Sequence, residues 1–348
     1  MHTHSETLEA PANSSNLPRL PRVTVVIPCF RVKQQILSVL NKIGQEVTTI
    51  YCVDDKCDQG SGEFILTNVK DARVHVIFRP KNGGVGAATI TGYLHAVQDD
   101  CDVIVKLDGD GQMDPTFIPK LIRPILAGEA DYAKGNRFYN LENMRGMPVI
   151  RIIGNAVLSL MSKLSSGYWQ VTDPNNGFTA IDARLLKVIP LHQLSQRYFF
   201  ESDLLFRLNT FRAVVVDIPM ACFYGNEISN LNIVDELFTF LNGHTTNFVK
   251  RIFYNYFLRD FSMASVGLIL GLTLFGFGLI YGLWRLSHSY SSTIAASPGI
   301  VMLAALPVII GIQFLLAFLT YDMSNTPKSP VSAKTLAIDF LTERRHDH

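Results

Sequence analysis

The sequence predicts an α/β domain with a mixed, mainly parallel sheet, followed by a hairpin of two transmembrane helices. Between residues 21 and 225, short β-branched runs alternate with helix-like stretches, which is typical of parallel strands covered by helices. Two later stretches, 261–284 and 297–320, contain no charged residue over 24 positions each. The 348 residues are 48% hydrophobic and only 18% charged, against about 25% charged in an ordinary soluble domain, which also favours contact with a membrane.

Five β-branched runs between residues 21 and 225 are expected to be strands, and the first predicted helices lie between them. The predicted strands are 23–27, 47–53, 74–78, 103–107 and 213–218, and the clearest helices are 32–42 and 87–98. In open sheets of this kind, ligands bind at the carboxyl ends of the strands. Acidic motifs follow the second and fourth predicted strands, so we expect a ligand site at that edge.

Each uncharged stretch would span about 36 Å as a helix, and the hydrocarbon core of a bilayer is roughly 30 Å thick. We therefore expect two membrane spans, with buried helices of a soluble core as the alternative. Basic residues precede the first stretch and follow the second, whereas the loop between them holds only Arg285 and His288. The flanking cations are Lys250, Arg251, Arg259, Lys328, Lys334, Arg344 and Arg345. The positive-inside rule then predicts a protein of the inner or cell membrane with its main domain and both termini in the cytoplasm.

Residues 231–260 precede the first span and carry apolar residues at helical spacing, with Lys250 and Arg251 beside several aromatic residues. This pattern predicts an amphipathic region at the membrane surface, where the cations are placed to attract anionic head groups. Packing of its first half against the soluble domain is the alternative. The soluble domain is predicted to cover 22–230, and 1–21 and 321–348 are predicted to be tails.

Charge and cysteine usage argue against several other kinds of protein. Thirty-one Lys and Arg against thirty Asp and Glu give a net charge of +1, so we expect no nucleic acid partner. The five cysteines contain no CxxC pair, which argues against a disulfide framework or a zinc site. Residues 1–20 contain no apolar run, so we expect no cleavable signal peptide.

The sharpest motif is Asp108-Gly109-Asp110-Gly111-Gln112, directly after the predicted strand 103–107. Two carboxylates this close repel each other unless a positive charge lies beside them. A Mg²⁺ or Mn²⁺ ion would neutralise them, since both ions prefer oxygen ligands and often share them with substrate phosphates. An acidic turn without a ligand is the alternative.

Two further motifs lie at strand ends. Asp54 and Asp55 follow the strand 47–53, and a carboxylate there either accepts a hydrogen bond from a ligand or caps the next turn. The segment 79–88, with Asn82, Gly83 and Gly86, joins a strand to a helix. Glycines let the backbone approach a ligand, and a helix N-terminus favours anions. Without the other motifs this segment is only a strand-to-helix turn.

Taken in sequence order, these motifs resemble the family 2 glycosyltransferases with the GT-A fold. The resemblance is closest to the polyprenyl-phosphate sugar transferases, such as dolichyl-phosphate mannose synthases and bacterial polyprenyl-phosphate glucosyltransferases. It covers about residues 22–225, and the paired C-terminal spans fit the membrane-anchored members. The matching residues are Val26-Ile27-Pro28, Val53-Asp54-Asp55, 82–88, 108–115, Gly135-Asn136-Arg137, Arg151 with Asn155, and Asp173 with Asn176-Gly177-Phe178.

The resemblance implies a role for most of these residues. The nucleotide-sugar would be bound by Pro28, Asp54, Asp55, Asn82, Gly83, Gly86 and Asp108, and the cation by Asp108, Asp110 and Gln112. Arg137 and Arg151 would contact phosphate, and together with Asp108 and Asp110 they form the expected catalytic set. In two places the sequence departs from the family: Val85 stands where a Lys is common, and 223–229 lacks an Arg that several relatives have.

The resemblance also implies the reaction. One sugar, expected to be a hexose, would pass with inversion from a UDP- or GDP-linked donor to polyprenyl phosphate at the cytoplasmic face. A phosphate acceptor is mostly dianionic at pH 7 and needs no general base. Glu201 and Asp203 lie where other family members place a base, so a base or acceptor contact and a structural pairing both stay open for them. The rival functions are transfer to a hydroxyl of a glycan or lipid and a non-catalytic nucleotide-binding membrane scaffold, and homo-oligomerisation stays open as well.

Overall fold

The computed structural model describes residues 19–139, 149–220, 233–292 and 297–332. The strands are β1 (Val23–Cys29), β2 (Val47–Asp54), β3 (Val74–Phe78), β4 (Val103–Lys106), β5 (Tyr132–Asn136), β6 (Thr179–Asp182) and β7 (Val215–Pro219). The helices are α1 (Ile36–Asn41), α2 (Ser61–Asn68), α3 (Val85–Gln98), α4 (Ile118–Leu126), α5 (Val149–Ser166), α6 (Ala183–Val188), α7 (Phe200–Thr210), α8 (Ile233–Phe253), α9 (Met263–Ser292) and α10 (Pro298–Ser324). Two short 3₁₀ turns and a π-helical turn at Tyr254–Arg259 complete the described elements.

The strands form one sheet of seven in the order β3-β2-β1-β4-β6-β5-β7. All neighbouring pairs are parallel except those of β6, which runs antiparallel to both β4 and β5. This arrangement confirms the predicted mixed, mainly parallel sheet. The five predicted strands are present with ends that differ by at most two residues, whereas the predicted helix 32–42 is only Ile36–Asn41 in the structure.

The strands β5 and β6 were not predicted from the sequence. β5 contains Lys134, Gly135 and Asn136, and β6 is four residues long and ends in Asp182. Every residue of both strands is buried. Tertiary packing rather than local preference therefore makes these residues extended.

Apolar residues cover both faces of the sheet. On β1, Val25 and Ile27 belong to one buried cluster and Val26 to the other, as the alternation along a strand requires. The first cluster includes residues of α1 and α4, and the second includes residues of α3 and α7. Because both faces are covered, the strand ends are where polar side chains can reach a ligand.

Two helices are long and apolar enough to cross a membrane, over Met263–Ser291 and Pro298–Ser324. They begin within two residues of the predicted spans and extend beyond the predicted ends. They approach closely at glycines: a Cβ atom on Gly278 would lie 2.7 Å from a carbonyl oxygen of α10, and one on Gly311 would lie 2.6 Å from a backbone nitrogen of α9. Small residues of this kind allow two helix backbones to pack together in a membrane.

The helix α8 occupies the predicted amphipathic region and has two different faces. Phe238 and Phe253 are exposed, whereas His244 and Asn247 are buried. The apolar exposed face is the one expected at a membrane surface. The buried polar face packs on α7, where Asn247 donates to Asp203 at 3.0 Å.

Arg251 of α8 is buried, which corrects the expectation that it attracts lipid head groups. Its guanidinium donates to Asp322 at 2.6 and 3.0 Å and to the Leu164 carbonyl oxygen at 2.8 and 3.1 Å. Tyr256 Oη and Trp169 Nε1 also donate to Asp322, at 2.6 and 2.9 Å. This network joins the end of α10 to α8 and to the end of α5.

Candidate active site

A cavity of about 700 Å³ opens at the carboxyl ends of β1, β2 and β4. The predicted site residues on its wall are Pro28, Asp55, Asn82, Asp108 and Asp110. The wall also includes Phe30, Lys56, Gly84, Arg197 and Tyr198. The fold thus brings motifs from four parts of the chain to one cavity whose wall carries both carboxylates and cations.

Asp108 and Asp110 lie in the loop that follows β4. Oδ1 of Asp108 accepts a hydrogen bond from Lys106 Nζ at 2.7 Å, and Oδ1 of Asp110 accepts one from the backbone N–H of Gln112 at 3.0 Å. No cluster of three His, Cys, Asp or Glu side chains suited to a metal occurs among the described residues. A cation here would therefore take its remaining ligands from water or substrate. Mg²⁺ and Mn²⁺ suit such a set, because Mg²⁺ sites often consist of one or two carboxylates plus substrate phosphates.

Lys106, at the end of β4, is a site residue that the sequence analysis missed. Its side chain is 1% exposed, and Nζ lies 2.7 Å from Asp108, 3.0 Å from Glu201 and 3.4 Å from the Gly177 carbonyl oxygen. Burial opposes protonation, but the two carboxylates outweigh it and raise the pKa of Lys106 above its ordinary value. A charged residue within an apolar strand was the available signal.

The two acidic residues at the start of α7 have different surroundings. Glu201 forms the ion pair with Lys106 behind Asp108. Asp203 accepts the backbone N–H of Ser195 at 2.9 Å and the side-chain amide of Asn247 at 3.0 Å. Asp203 thus links α7 to α8, which favours the structural alternative for this residue, and Glu201 lies closer to the site.

Asp54 is 3% exposed and lies away from the cavity wall. Its two carboxylate oxygens accept the backbone N–H groups of Cys57 and Gly62, each at 2.7 Å. This geometry favours the alternative in which Asp54 caps the turn after β2. A direct contact with nucleotide stays a prediction for this residue.

Asp55 holds the glycine turn in place at the cavity. It accepts the backbone N–H groups of Gly83 and Gly84, at 3.0 and 2.7 Å, and forms an ion pair with Arg79. Asn82 Nδ2 donates to the carbonyl oxygen of Asp55 at 3.1 Å. Gly84 has a φ of +95°, a conformation that favours glycine. The turn is therefore shaped by Asp55 before any ligand binds.

Gly86 lies where the segment 195–197 covers the N-terminus of α3. A Cβ atom on Gly86 would lie 2.5 Å from the Ser195 carbonyl oxygen, and the N–H of Ala87 donates to the Gln196 carbonyl oxygen at 2.8 Å. The glycine is thus needed for close packing of the chain. Its predicted contact with nucleotide stays a prediction.

Arg137 follows β5 and is held by Asp173. Nε and Nη2 of Arg137 donate to the two oxygens of Asp173 at 2.7 and 2.9 Å, and its backbone N–H donates to the same carboxylate at 3.2 Å. Such a bidentate pair fixes the guanidinium plane. Arg151 lies on α5, but its side chain falls outside the described residues, as does the segment 223–229.

A second cavity of about 420 Å³ lies along α5. Asn155 and Lys163 of α5 line it together with Phe138 and Thr172. The guanidinium carbon of Arg137 lies 5.7 Å from the centre of the Phe138 ring, so this end of the Arg137–Asp173 ion pair is close to the cavity wall. Of the two predicted phosphate contacts, Arg137 thus lies beside a residue of this second cavity, whereas the side chain of Arg151 falls outside the described residues.

Asp217, on β7, is expected to make stability depend on pH. Its Oδ2 accepts from the backbone N–H of Thr172 at 2.8 Å and from Asn136 Nδ2 at 3.0 Å, and Oδ1 is buried without a partner among the described residues. Burial raises the pKa of Asp217 to about 6. This value exceeds the pKa of an unfolded aspartate, so the protonated side chain stabilises the folded state below about pH 4. This contribution, up to about 3 kcal/mol, is lost as the pH rises through 6.

Denaturant titrations of the wild type and Asp217→Asn between pH 4 and 7 measure this effect. We expect the free energy of unfolding of the wild type to fall relative to that of the variant over this range. Parallel pH profiles would contradict the assignment.

The similarity to known proteins lies in the part of the chain that forms the sheet and the first cavity. The family described as glycosyl transferase family 2 matches residues 24–190. A UDP-N-acetylglucosamine–dolichyl-phosphate N-acetylglucosaminyltransferase of Methanococcus voltae is 29% identical over 220 residues, covering 58% of this chain and 86% of that protein. An undecaprenyl-phosphate mannosyltransferase of Micrococcus luteus is 28% identical over 203 residues, covering 57% of this chain and 82% of that protein.

Among solved structures, the glucosyl-3-phosphoglycerate synthase of Mycobacterium tuberculosis is 20% identical with a TM-score of 0.49, covering 66% of this chain and 80% of that one. The family match and the relatives confirm the resemblance drawn from the motifs, and the mixed sheet agrees with it. Residues 24–190 therefore match the glycosyl transferase family 2 domain, and the protein is a glycosyltransferase.

Proposed function

We propose that the protein transfers one sugar, a hexose, from a UDP- or GDP-linked donor to polyprenyl phosphate at the cytoplasmic surface of the cell membrane. The observation that carries this proposal is the surface of α5 beside the second cavity. Val149, Ile153, Val157 and Leu160 lie on this helix and are each more than half exposed. A row of exposed apolar residues next to a cavity that is lined by Asn155, Lys163 and Thr172 as well as by apolar side chains suits an acceptor with a lipid tail and a phosphate head.

The donor binds in the first cavity in this proposal. Its volume of about 700 Å³ is in the range of cavities that hold small-molecule ligands. Lys56 and Arg197 on the wall provide positive charge for a diphosphate. Asp55 and Asn82 provide polar groups at the end formed by the glycine turn.

Asp108 and Asp110 would hold the Mg²⁺ or Mn²⁺ ion against the donor diphosphate. When bound, such an ion stabilises the negative charge that collects on the leaving group. The chain's own contribution is to hold the two carboxylates on the cavity wall, with Asp108 fixed by Lys106 and Asp110 by the backbone of Gln112.

The phosphate of the acceptor binds at the second cavity. Lys163 lines it, and Arg137 borders it with its guanidinium plane fixed by Asp173. Guanidinium groups bind phosphate in a bidentate manner, and a lysine adds a point charge. The names of the relatives support this acceptor class, since both relatives carry a polyprenyl-phosphate substrate in their names.

The reaction needs no catalytic base. An oxygen of the dianionic acceptor phosphate attacks the anomeric carbon, and the bond from that carbon to the donor diphosphate breaks with its electron pair leaving on the diphosphate. The acceptor oxygen carries no proton that must be removed. Glu201 is already paired with Lys106, which is consistent with a mechanism that does not use it as a base.

The C-terminal hairpin would place this chemistry at the membrane. The helices α9 and α10 meet the length and composition of membrane spans, and the exposed faces of α5 and α8 would lie in the interface. The Arg251–Asp322 network joins these parts into one unit. With the charge asymmetry of the flanks, the active site would face the cytoplasm.

Transfer of radiolabelled sugar by the purified protein in bilayers tests the proposal. A panel of UDP- and GDP-linked hexoses is offered with a polyprenyl phosphate, and with the matching polyprenol as control acceptor. We expect product with the phosphate only, loss of product with EDTA, and recovery with Mg²⁺ or Mn²⁺. Transfer to the alcohol would replace the proposal with hydroxyl transfer, and nucleotide binding without any product would favour a scaffold.

Gly177→Ala should slow transfer by disturbing Asp108. A Cβ atom at Gly177 would lie 2.4 Å from Asp108 Oδ2 and 2.5 Å from Lys106 Nζ, so one of the two must move. Misplacement of a catalytic group by about 1 Å can cost on the order of 10²-fold in rate. Initial rates at saturating substrate measure the effect, with Gly276→Ala, which has open space around it, as the control. Equal rates for the two variants would show that Asp108 tolerates the shift.

A further inference from the structure

The proposed reaction does not by itself require the buried lysine behind the aspartate pair. Lys106 Nζ lies 2.7 Å from Oδ1 of Asp108 and 3.0 Å from Oε1 of Glu201. The exposed fraction of the side chain is 1% for Lys106, 9% for Glu201 and 28% for Asp108. Of the three, only Asp108 reaches the cavity wall. The ammonium group therefore supports Asp108 from the protein side.

The surroundings leave Lys106 little freedom to move. On β4 it pairs with Thr179 of β6, and its Nζ also contacts the Gly177 carbonyl oxygen at 3.4 Å. Gly177 fits there only because it has no side chain, since a Cβ atom would lie 2.5 Å from Nζ. The ammonium is thus held at a fixed point beside Asp108.

This position has a consequence for cation binding. Asp108 already has a positive charge at hydrogen-bond distance, and a divalent ion at the same carboxylate would be repelled by it and would compete with it. Glu201 offsets part of this repulsion but lies farther from the cavity. Two carboxylates with an ammonium group beside one of them form a weak cation site by themselves.

We propose that Lys106 is a positioning residue that holds Asp108 in place and keeps its affinity for a divalent cation low until the donor diphosphate supplies further ligands. The inference rests on the cation site of the proposed function. In this proposal, Lys106 and Glu201 set the affinity of the nucleotide-free protein for the cation. Lys106 lowers this affinity, and Glu201 raises it.

The test measures binding of Mn²⁺ alone to the full-length protein in detergent, from the electron paramagnetic resonance signal of the free ion. Lys106→Met should bind Mn²⁺ about tenfold more tightly than the wild type, or better, because the competing ammonium is gone. Glu201→Gln should bind it more weakly, because the ammonium then has no second partner. Lys134→Met is the matched control: Lys134 is equally buried, on β5, and contacts the Asn176 carbonyl oxygen rather than Asp108.

A second comparison keeps the test valid if Lys106→Met does not fold. In Lys106→Met/Glu201→Gln both buried charges are removed together, so neither is left without the other, and Mn²⁺ should bind more tightly than to Glu201→Gln alone. Unchanged affinity in both comparisons, or an equal gain with Lys134→Met, would overturn the inference. The binding measurement uses neither sugar nor lipid, so its result does not depend on sugar transfer. If the protein transferred no sugar, but the Lys106 and Glu201 variants shifted the Mn²⁺ affinity in opposite directions, the proposed function would be rejected and this inference would stand.

Discussion

Replacing Asp108 with asparagine should reduce the rate of sugar transfer on the order of 10²–10³-fold while the protein keeps its fold. The side chain lies on the cavity wall, and asparagine preserves its shape but removes the charge that would bind the cation on the donor diphosphate. Groups that stabilise charge developing in a transition state commonly contribute this much. Stability should change little, because Lys106 keeps its ion pair with Glu201 at 3.0 Å.

Initial rates with radiolabelled donor measure the effect, and thermal unfolding of the same samples reports on the fold. Asp114→Asn is the matched control. Asp114 lies in the same loop and accepts the backbone N–H of Thr116 at 3.1 Å, a cap that asparagine also provides. If Asp108→Asn kept more than about a tenth of the wild-type rate, a smaller loss than such groups produce, the carboxylate would not serve the leaving group as proposed.

The parts of the site that can be predicted from the sequence are those whose position in the fold is determined by one short segment. The strand before Asp108 is apolar and the loop after it is acidic, so the position of the pair at a strand end could be read from a few residues. The carboxyl edge of the sheet then brings the loops after β1, β2 and β4 together, as the fold class requires.

The parts that the sequence does not predict depend on partners far along the chain. Lys106 is visible in the sequence as a charge in an apolar strand. Its partner Glu201 belongs to α7, which follows in the chain after β5 and β6, the two strands that were not predicted. Asp54 has the sequence context of a ligand contact, and only the structure shows that its oxygens are occupied by the turn it caps. Local patterns place such residues at a strand end without revealing which groups they meet.

Arg251 shows the same limit at the end of the molecule that carries the two long apolar helices. Next to Lys250 and several aromatic residues, it has the appearance of a cation on a membrane flank. Its partner Asp322 lies 71 residues away, near the end of α10. Two charges that look peripheral in the sequence thus form the buried link between the catalytic domain and the hairpin.

Arg251→Met should therefore produce the largest loss of stability of the substitutions considered. The side chains of Arg251 and Asp322 are 2% and 3% exposed, so removing the cation leaves a buried carboxylate without its counter-charge. Loss of one partner of a buried ion pair typically costs about 3–5 kcal/mol. The midpoint and free energy of unfolding in detergent measure the effect, and Lys250→Met, which removes the exposed neighbouring cation, should change the free energy by no more than about 0.5 kcal/mol.

The double variant Arg251→Met/Asp322→Asn separates loss of the ion pair from loss of packing. Asparagine has no charge to compensate, and its one oxygen can still accept the hydrogen bond from Tyr256, which contacts Oδ1 of Asp322 at 2.6 Å. Trp169 contacts the other oxygen, Oδ2, at 2.9 Å and loses this acceptor in the double variant. We expect it to regain more than half of the stability lost in Arg251→Met, because the unpaired charge, rather than the missing guanidinium, accounts for most of the cost. If the double variant were as unstable as Arg251→Met, the contacts of the guanidinium with Leu164 would carry the link between α5 and α8 instead of the ion pair.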